Sequence, residues 1–152
     1  LASGELFCIV PEGHELAGRK QVSAKEIIRY PLIGIDPNDP YGRIMAEIFA
    51  RNKLKYDITI RARFGTTVCA LVKAGLGIAV IDQFTVAHGG YPGVEVIRIV
   101  EPTRFDTYVA VKRGAPLSLH IEHFIDCLRT EMRAVGSHKI AAAKPASRVR
   151  KK

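Results

Sequence analysis

Two threonines, Thr66 and Thr67, stand before an apolar run, VCALV, that is closed by Gly75-Leu76-Gly77. Hydroxyls at the mouth of a helix have two uses. One is local: an N-cap threonine accepts a backbone N–H that the first turn leaves unpaired. The other is binding, because free N–H groups, the positive end of the helix dipole and fixed hydroxyls together suit an anion. By composition alone capping is the commoner role, with Thr66 or Thr67 as the cap of a helix over 68–74. A second polar cluster, Asp36-Pro37-Asn38, follows an apolar run ending at Ile35. It reads either as a turn or as groups facing a ligand.

Other residues with chemical potential are more easily placed. His120 and His123 lie one helical turn apart, but no third metal ligand accompanies them, so a solvated face is expected. His14 and His88 fall in turns and are expected at the surface. Cys8, Cys69 and Cys127 are odd in number and far apart, each within an apolar pattern. That pattern predicts buried, reduced thiols and a cytoplasmic location. Gly75 and Gly77 follow a helix and precede a strand, the reverse of the order in a dinucleotide-binding loop. They are read as turn chemistry, with Gly75 a left-handed C-cap. No Ser/His/Asp set, close carboxylate pair or glycine-rich phosphate loop is found. The expectation is a protein that is not an enzyme and needs neither cofactor nor metal.

The elements that position these groups alternate along the chain. Glu5–Val10 is an apolar strand. Ser23-Ala24-Lys25-Glu26 is a capping box opening a helix of about two turns, which Tyr30-Pro31 ends. Leu32–Ile35 is a second strand. Asp39 and Pro40 read as N-cap and first residue of a helix through about Arg51. Tyr56–Phe64 alternates apolar and polar as a half-buried strand does. After the 68–74 helix comes a strand at Ile78–Ile81, a short helix capped by Asp82, and a turn over 88–93. Val94–Val100 and Thr107–Lys112 are two further strands. Ser118 caps a last helix with an apolar stripe at Ile121, Phe124, Ile125, Leu128 and Met132. Alternating strands and helices predict an α/β fold with a largely parallel sheet.

Composition fits one such unit. The chain has 152 residues, 47% hydrophobic and 25% charged, with no apolar run long enough for a membrane span. No secretion signal is evident, and the first residue, Leu1, suggests a piece of something longer. The net charge of +8 is concentrated beyond Gly136, where six Lys/Arg and no acid occur. The remainder carries 17 basic against 15 acidic residues, so no phosphate-binding groove is indicated. Residues 136–152 read as a disordered basic tail.

The order of motifs resembles a known family. ELFCIVPEGHELAGRKQVSAKEIIRYPLI, ALVKAGLGIAVI (Ala70–Ile81) and RGAPLSLHIEHFIDCL (Arg113–Leu128) are similar to segments of LysR-type transcriptional regulators. Where family members often have proline after Gly-His, this chain has Glu15. The resemblance covers about residues 4–132. It implies a two-lobed effector-binding domain of the type II periplasmic-binding-protein fold, here truncated. Residues 4–100 would be the second lobe, and 101–135 the returning strand and helix of an incomplete first lobe. By resemblance, Gly65, Thr66, Thr67 and Val68, with Asp36, Pro37 and Asn38, would contact a small-molecule effector. A carboxylate is implied, with an amino acid or its conjugate suggested by the "TVCALV" and "PYGR" patterns. The implied assembly is a homodimer or tetramer, touching DNA only through a helix-turn-helix domain absent from this chain, with no membrane partner. The rival reading is a solute-binding lobe of a transport protein.

Overall fold

The computed structural model describes residues 1–38, 40–87, 91–114 and 116–137. Its centre is two strands that are apolar at nearly every position. β2 (Leu6–Pro11) and β6 (Ile78–Asp82) are buried along almost their whole length. Such runs cannot be placed at a surface and must be covered on both faces.

The coverage alternates with the pleat. Leu6, Cys8 and Val10 point into one core with Ile78 and Val80; Ile9 points into another with Ala79 and Ile81. The first core is closed by α1 (Ala24–Ile27) and by Met45, Ile48 and Phe49 of α2 (Pro40–Arg51). The second is closed by Val68, Cys69 and Val72 of α3 (Gly65–Lys73). Phe49 is fully buried, with Tyr56 against its ring at a centroid distance of 4.5 Å.

β3 (Gln21–Val22), β4 (Leu32–Gly34), β5 (Ile58–Arg61) and β7 (Val94–Ile99) complete a six-stranded sheet of order β3-β7-β2-β6-β4-β5. β4 pairs in parallel with β5 and β6, and β3 with β7, but β2 runs antiparallel to both its neighbours. The sheet is therefore mixed rather than largely parallel. β2 enters from the opposite end to β6 because it begins at a crossing of two chain segments.

That crossing is well tied. β1 (Ser3–Gly4) pairs antiparallel with β8 (Phe105–Asp106). Leu6 donates its N–H to Thr103 Oγ1 at 3.0 Å, and Thr107 donates to the Ala2 carbonyl at 2.8 Å. Gln83 accepts the Glu5 N–H at 2.7 Å, and Glu101 accepts the Ala24 N–H through both carboxylate oxygens at 3.0 Å.

Several local signals act as read. The capping box forms: Ser23 Oγ accepts the Glu26 N–H at 3.3 Å, and Glu26 accepts the Ser23 N–H at 2.9 Å. α1 is nonetheless a single turn, because Pro31 forces Tyr30 out of the helical region. Gly75 sits at φ +75°, the left-handed conformation that closes α3. Ser118 opens α4 (Leu119–Ser137), its carbonyl accepting the Glu122 N–H at 3.0 Å.

Four expectations are corrected. Residues 107–112 do not form a strand; β8 ends at Asp106, and the Thr107 N–H to the Ala2 carbonyl is the last backbone bond of its pairing with a described residue. Asp82 starts a turn rather than a helix, accepting both the N–H (3.0 Å) and the hydroxyl (2.6 Å) of Thr85. Cys127 is exposed, lying outside the apolar stripe of α4, while Cys8 and Cys69 are buried. His14 is half-buried, its Nδ1 accepting the Leu16 N–H at 3.2 Å and its ring set edge-on to Tyr30. α4 runs through Ser137, two residues into the expected tail, and 138–152, like Asp39 and His88, lie outside the described residues.

Candidate functional site

The parallel strands β4, β5 and β6 end at the same edge of the sheet. From β4 the chain leaves to α2 on one face; from β5 it leaves to α3 on the other. Loops that part in this way open a crevice at the carboxyl ends of the strands, where α/β sheets bind ligands. The residues singled out in the sequence fall at this edge: Asp36–Asn38 after β4, and Gly65–Val68 after β5.

α3 begins three residues earlier than its sequence pattern suggests. Phe64 is the N-cap, extended at φ −119° and ψ 140°, and no side chain caps the helix. Its carbonyl accepts the Val68 N–H at 3.1 Å. Gly65 allows this start, because a Cβ there would lie 3.0 Å from Thr85 Cγ2 and Oγ1 and 3.3 Å from Ile81 Cδ1. Thr66 and Thr67 therefore occupy the first turn instead of capping it, and both are exposed. Val68 is buried in the second core, with its N–H already bonded. The expected threonine cap is thus replaced by an open helix start carrying two free-standing hydroxyls.

On the β4 side, Asp36 has structural duties. Its Oδ1 accepts the Asn38 N–H at 2.8 Å, forming a tight local turn around Pro37. Its Oδ2 meets the Arg61 guanidinium at 3.3 Å, joining the ends of β4 and β5. Gly42 in α2 packs so closely on this loop that a Cβ would stand 2.0 Å from the Asp36 carbonyl oxygen.

Three contributors escaped the sequence reading. Arg61, the last residue of β5, and Arg63, two residues beyond it, are both exposed; Arg61 is met by Asp36, and Arg63 adds positive charge before α3. The RAR spacing at period two was the available signal. Phe64, 65% exposed, stands apolar beside the open helix start. Cys69 lies behind the site; burial, then the Asp82 carboxylate, push its thiol pKa up, so it stays protonated. Among the described residues no cluster of three or more His, Cys, Asp or Glu is arranged to hold a metal.

An unblocked helix start with Arg63 beside it, and Arg61 already engaged by Asp36, can attract an anion at this edge. Comparison with known proteins then decides the family. The family model of the LysR substrate binding domain matches residues 1–133. The chain belongs to this family.

Among curated LysR-family relatives, the transcriptional activator protein LysR of Escherichia coli is 28% identical over 124 residues, covering 82% of this chain and 40% of its own. The regulatory domain of Synechocystis CcmR in complex with 2-PG superposes with a TM-score of 0.71 at 22% identity, covering 90% of this chain and 64% of that one. The effector-binding domain of QuiR in complex with shikimate gives 0.67 at 21%, covering 88% and 64%. These likenesses show the periplasmic-binding-protein-like α/β fold. The chain spans under half the length of the curated relatives it matches.

Proposed function

We propose that this chain is the effector-sensing part of a LysR-type transcriptional regulator and that it takes a small carboxylate, an amino acid or its conjugate, at the start of α3. The observation that carries this reading is the uncapped first turn, with Thr66 and Thr67 exposed upon it. Helix N–H groups lacking a partner, the dipole and two hydroxyls converge on one anion, and Arg63 adds long-range attraction. Gly65, Thr66, Thr67 and the Val68 end of the turn form one side; Asp36, Pro37 and Asn38 form the other. That CcmR is complexed with 2-PG and QuiR with shikimate supports an anionic metabolite as the class.

Residues 4–100 are the second lobe, and 101–135 the returning strand and helix of the first. The tied crossing at Glu5, Gln83, Glu101 and Thr103 is the hinge between them. Effector held between lobes favours one interlobe geometry, which in a dimer or tetramer alters how helix-turn-helix heads are presented to DNA. The setting is the cytoplasm, and no described helix is long and apolar enough to cross a membrane. The test is a thermal-shift screen with amino acids, their conjugates and aromatic carboxylates, repeated on Thr66→Ala and Thr67→Ala. A compound that stabilises the parent and neither variant supports the proposal; one that stabilises all three equally contradicts it.

A further inference from the structure

The two loops at the crevice carry opposite charge, and one ion pair bridges them. Gly34 and Arg61 are partners in the parallel pairing of β4 and β5. Beyond them the chain leaves β4 through Asp36 and leaves β5 towards Gly65 and α3. The Asp36 carboxylate reaches over the end of β5 to the Arg61 guanidinium at 3.3 Å, a single contact between side chains that are 44% and 63% exposed. Pairs of that kind hold weakly. Asp36 is the fixed partner: its Oδ1 accepts the Asn38 N–H, and Gly42 packs on its carbonyl too closely for a Cβ. Arg61 is the movable one, a long side chain hydrogen-bonded to Asp36 alone among the described residues.

A bare anion at the start of α3 meets an unfavourable neighbour. Adjacent strands lie about 4.8 Å apart, so the Asp36 charge stands well within a Debye length of about 8 Å. It opposes the anion and also occupies a guanidinium that could receive it. A ligand with an ammonium beside its carboxylate removes both disadvantages. We infer that Asp36 and Arg61 are an exchangeable pair that selects such a zwitterion. Arg61 leaves Asp36 for the ligand's carboxylate, and the ammonium takes its place on Asp36. One ion pair becomes two, with no charge left alone. Each Asp36 oxygen has two lone pairs and one bond, so the three donors of an ammonium find acceptors without opening the Asn38 turn. The planar guanidinium takes a carboxylate through two parallel bonds in exchange for the single one it gives up. The inference rests on the α3 start being the effector site and narrows its ligand to one with a free amino group.

Amide shifts of the 15N-labelled chain separate location from selectivity. The probes are L-phenylalanine against 3-phenylpropionate and L-glutamate against glutarate, each pair differing by the amino group. The Gly65, Thr66 and Thr67 N–H signals report occupancy, and the Asn38 N–H, bonded to Asp36, reports the ammonium. The amino member of each pair should bind about two- to fivefold more tightly, the range of one exposed charge pair. In Asp36→Asn, which keeps the acceptor of the turn, the preference should vanish and the desamino member should tighten. In Arg61→Gln, which leaves Asp36 unpaired, the preference should widen. Equal or reversed affinities in the parent, or a preference that survives Asp36→Asn, overturn the inference; saturable shifts at Gly65, Thr66 and Thr67 would still leave the site in place. If no probe moves those three signals, the site and the inference fall together.

Discussion

Replacing Thr66 or Thr67 by alanine separates the two uses of a hydroxyl at a helix start. Were either the N-cap, its loss would cost about 1 kcal/mol. For a chain of this size that is a fall in Tm of about 2–4 °C. The structure puts Phe64 at the cap and both threonines, exposed, in the first turn without a bond to the helix. Alanine is the better helix former by a few tenths of a kcal/mol up to about 0.7. Each substitution should therefore leave stability unchanged or raise it slightly. Urea unfolding followed by circular dichroism measures this directly, with equal slopes checking that the transition stays comparable. Loss of 1 kcal/mol or more in either variant would refute the assignment of Phe64 as the cap and return the threonines to a structural role.

Other consequences are as specific. Glu26 is held down to about 2, from 4.5, by the Ser23 N–H, the Ser23 hydroxyl and Arg19. A folded pKa below the unfolded one stabilises above pH 4.5, and that contribution is lost as pH falls towards 2; Glu26→Gln should flatten this part of an acid-unfolding curve. Burial pushes Cys8 up to about 12 and raises Cys69, whereas Cys127 is exposed. A thiol reagent should therefore modify one cysteine in the native protein and three in denaturant, and Cys127→Ser should abolish the native reaction. Gly42→Ala must displace the Asp36 carbonyl, now 2.0 Å from the new Cβ. The strain and shift should cost about 1–3 kcal/mol in chemical denaturation, as for other overpacked sites.

Much of the fold was legible because it is local. β2 and β6 are apolar at nearly every position since both faces are covered, and the Ser23–Glu26 box closes within four residues. The departures come from contacts that no window of sequence contains. TYVAVK has a strand's alternation, but a strand exists only beside another. The mixed sheet follows from where β2 enters after the crossing, which propensity does not encode. α3 begins at Gly65 because Thr85, twenty residues on, approaches the space a Cβ would fill. At the site, the position of the loops followed from strand–helix order, so Asp36–Asn38 and Gly65–Thr67 reach one edge as expected. Asp36's bond to Arg61 did not, since it joins two strands brought together only by folding.

The central claim is that an anion binds at the open start of α3, and amide chemical shifts test it at the atoms concerned. Titration of the 15N-labelled chain with amino acids, their conjugates and small aromatic carboxylates should move the Gly65, Thr66 and Thr67 N–H resonances saturably, through fast exchange if binding is weak. The shifts should vanish in the Thr66→Ala, Thr67→Ala double variant while its spectrum otherwise stays native. Saturable shifts confined to the crossing around Ser3 and Asp106, or an effect at α3 that survives loss of both hydroxyls, would contradict the account.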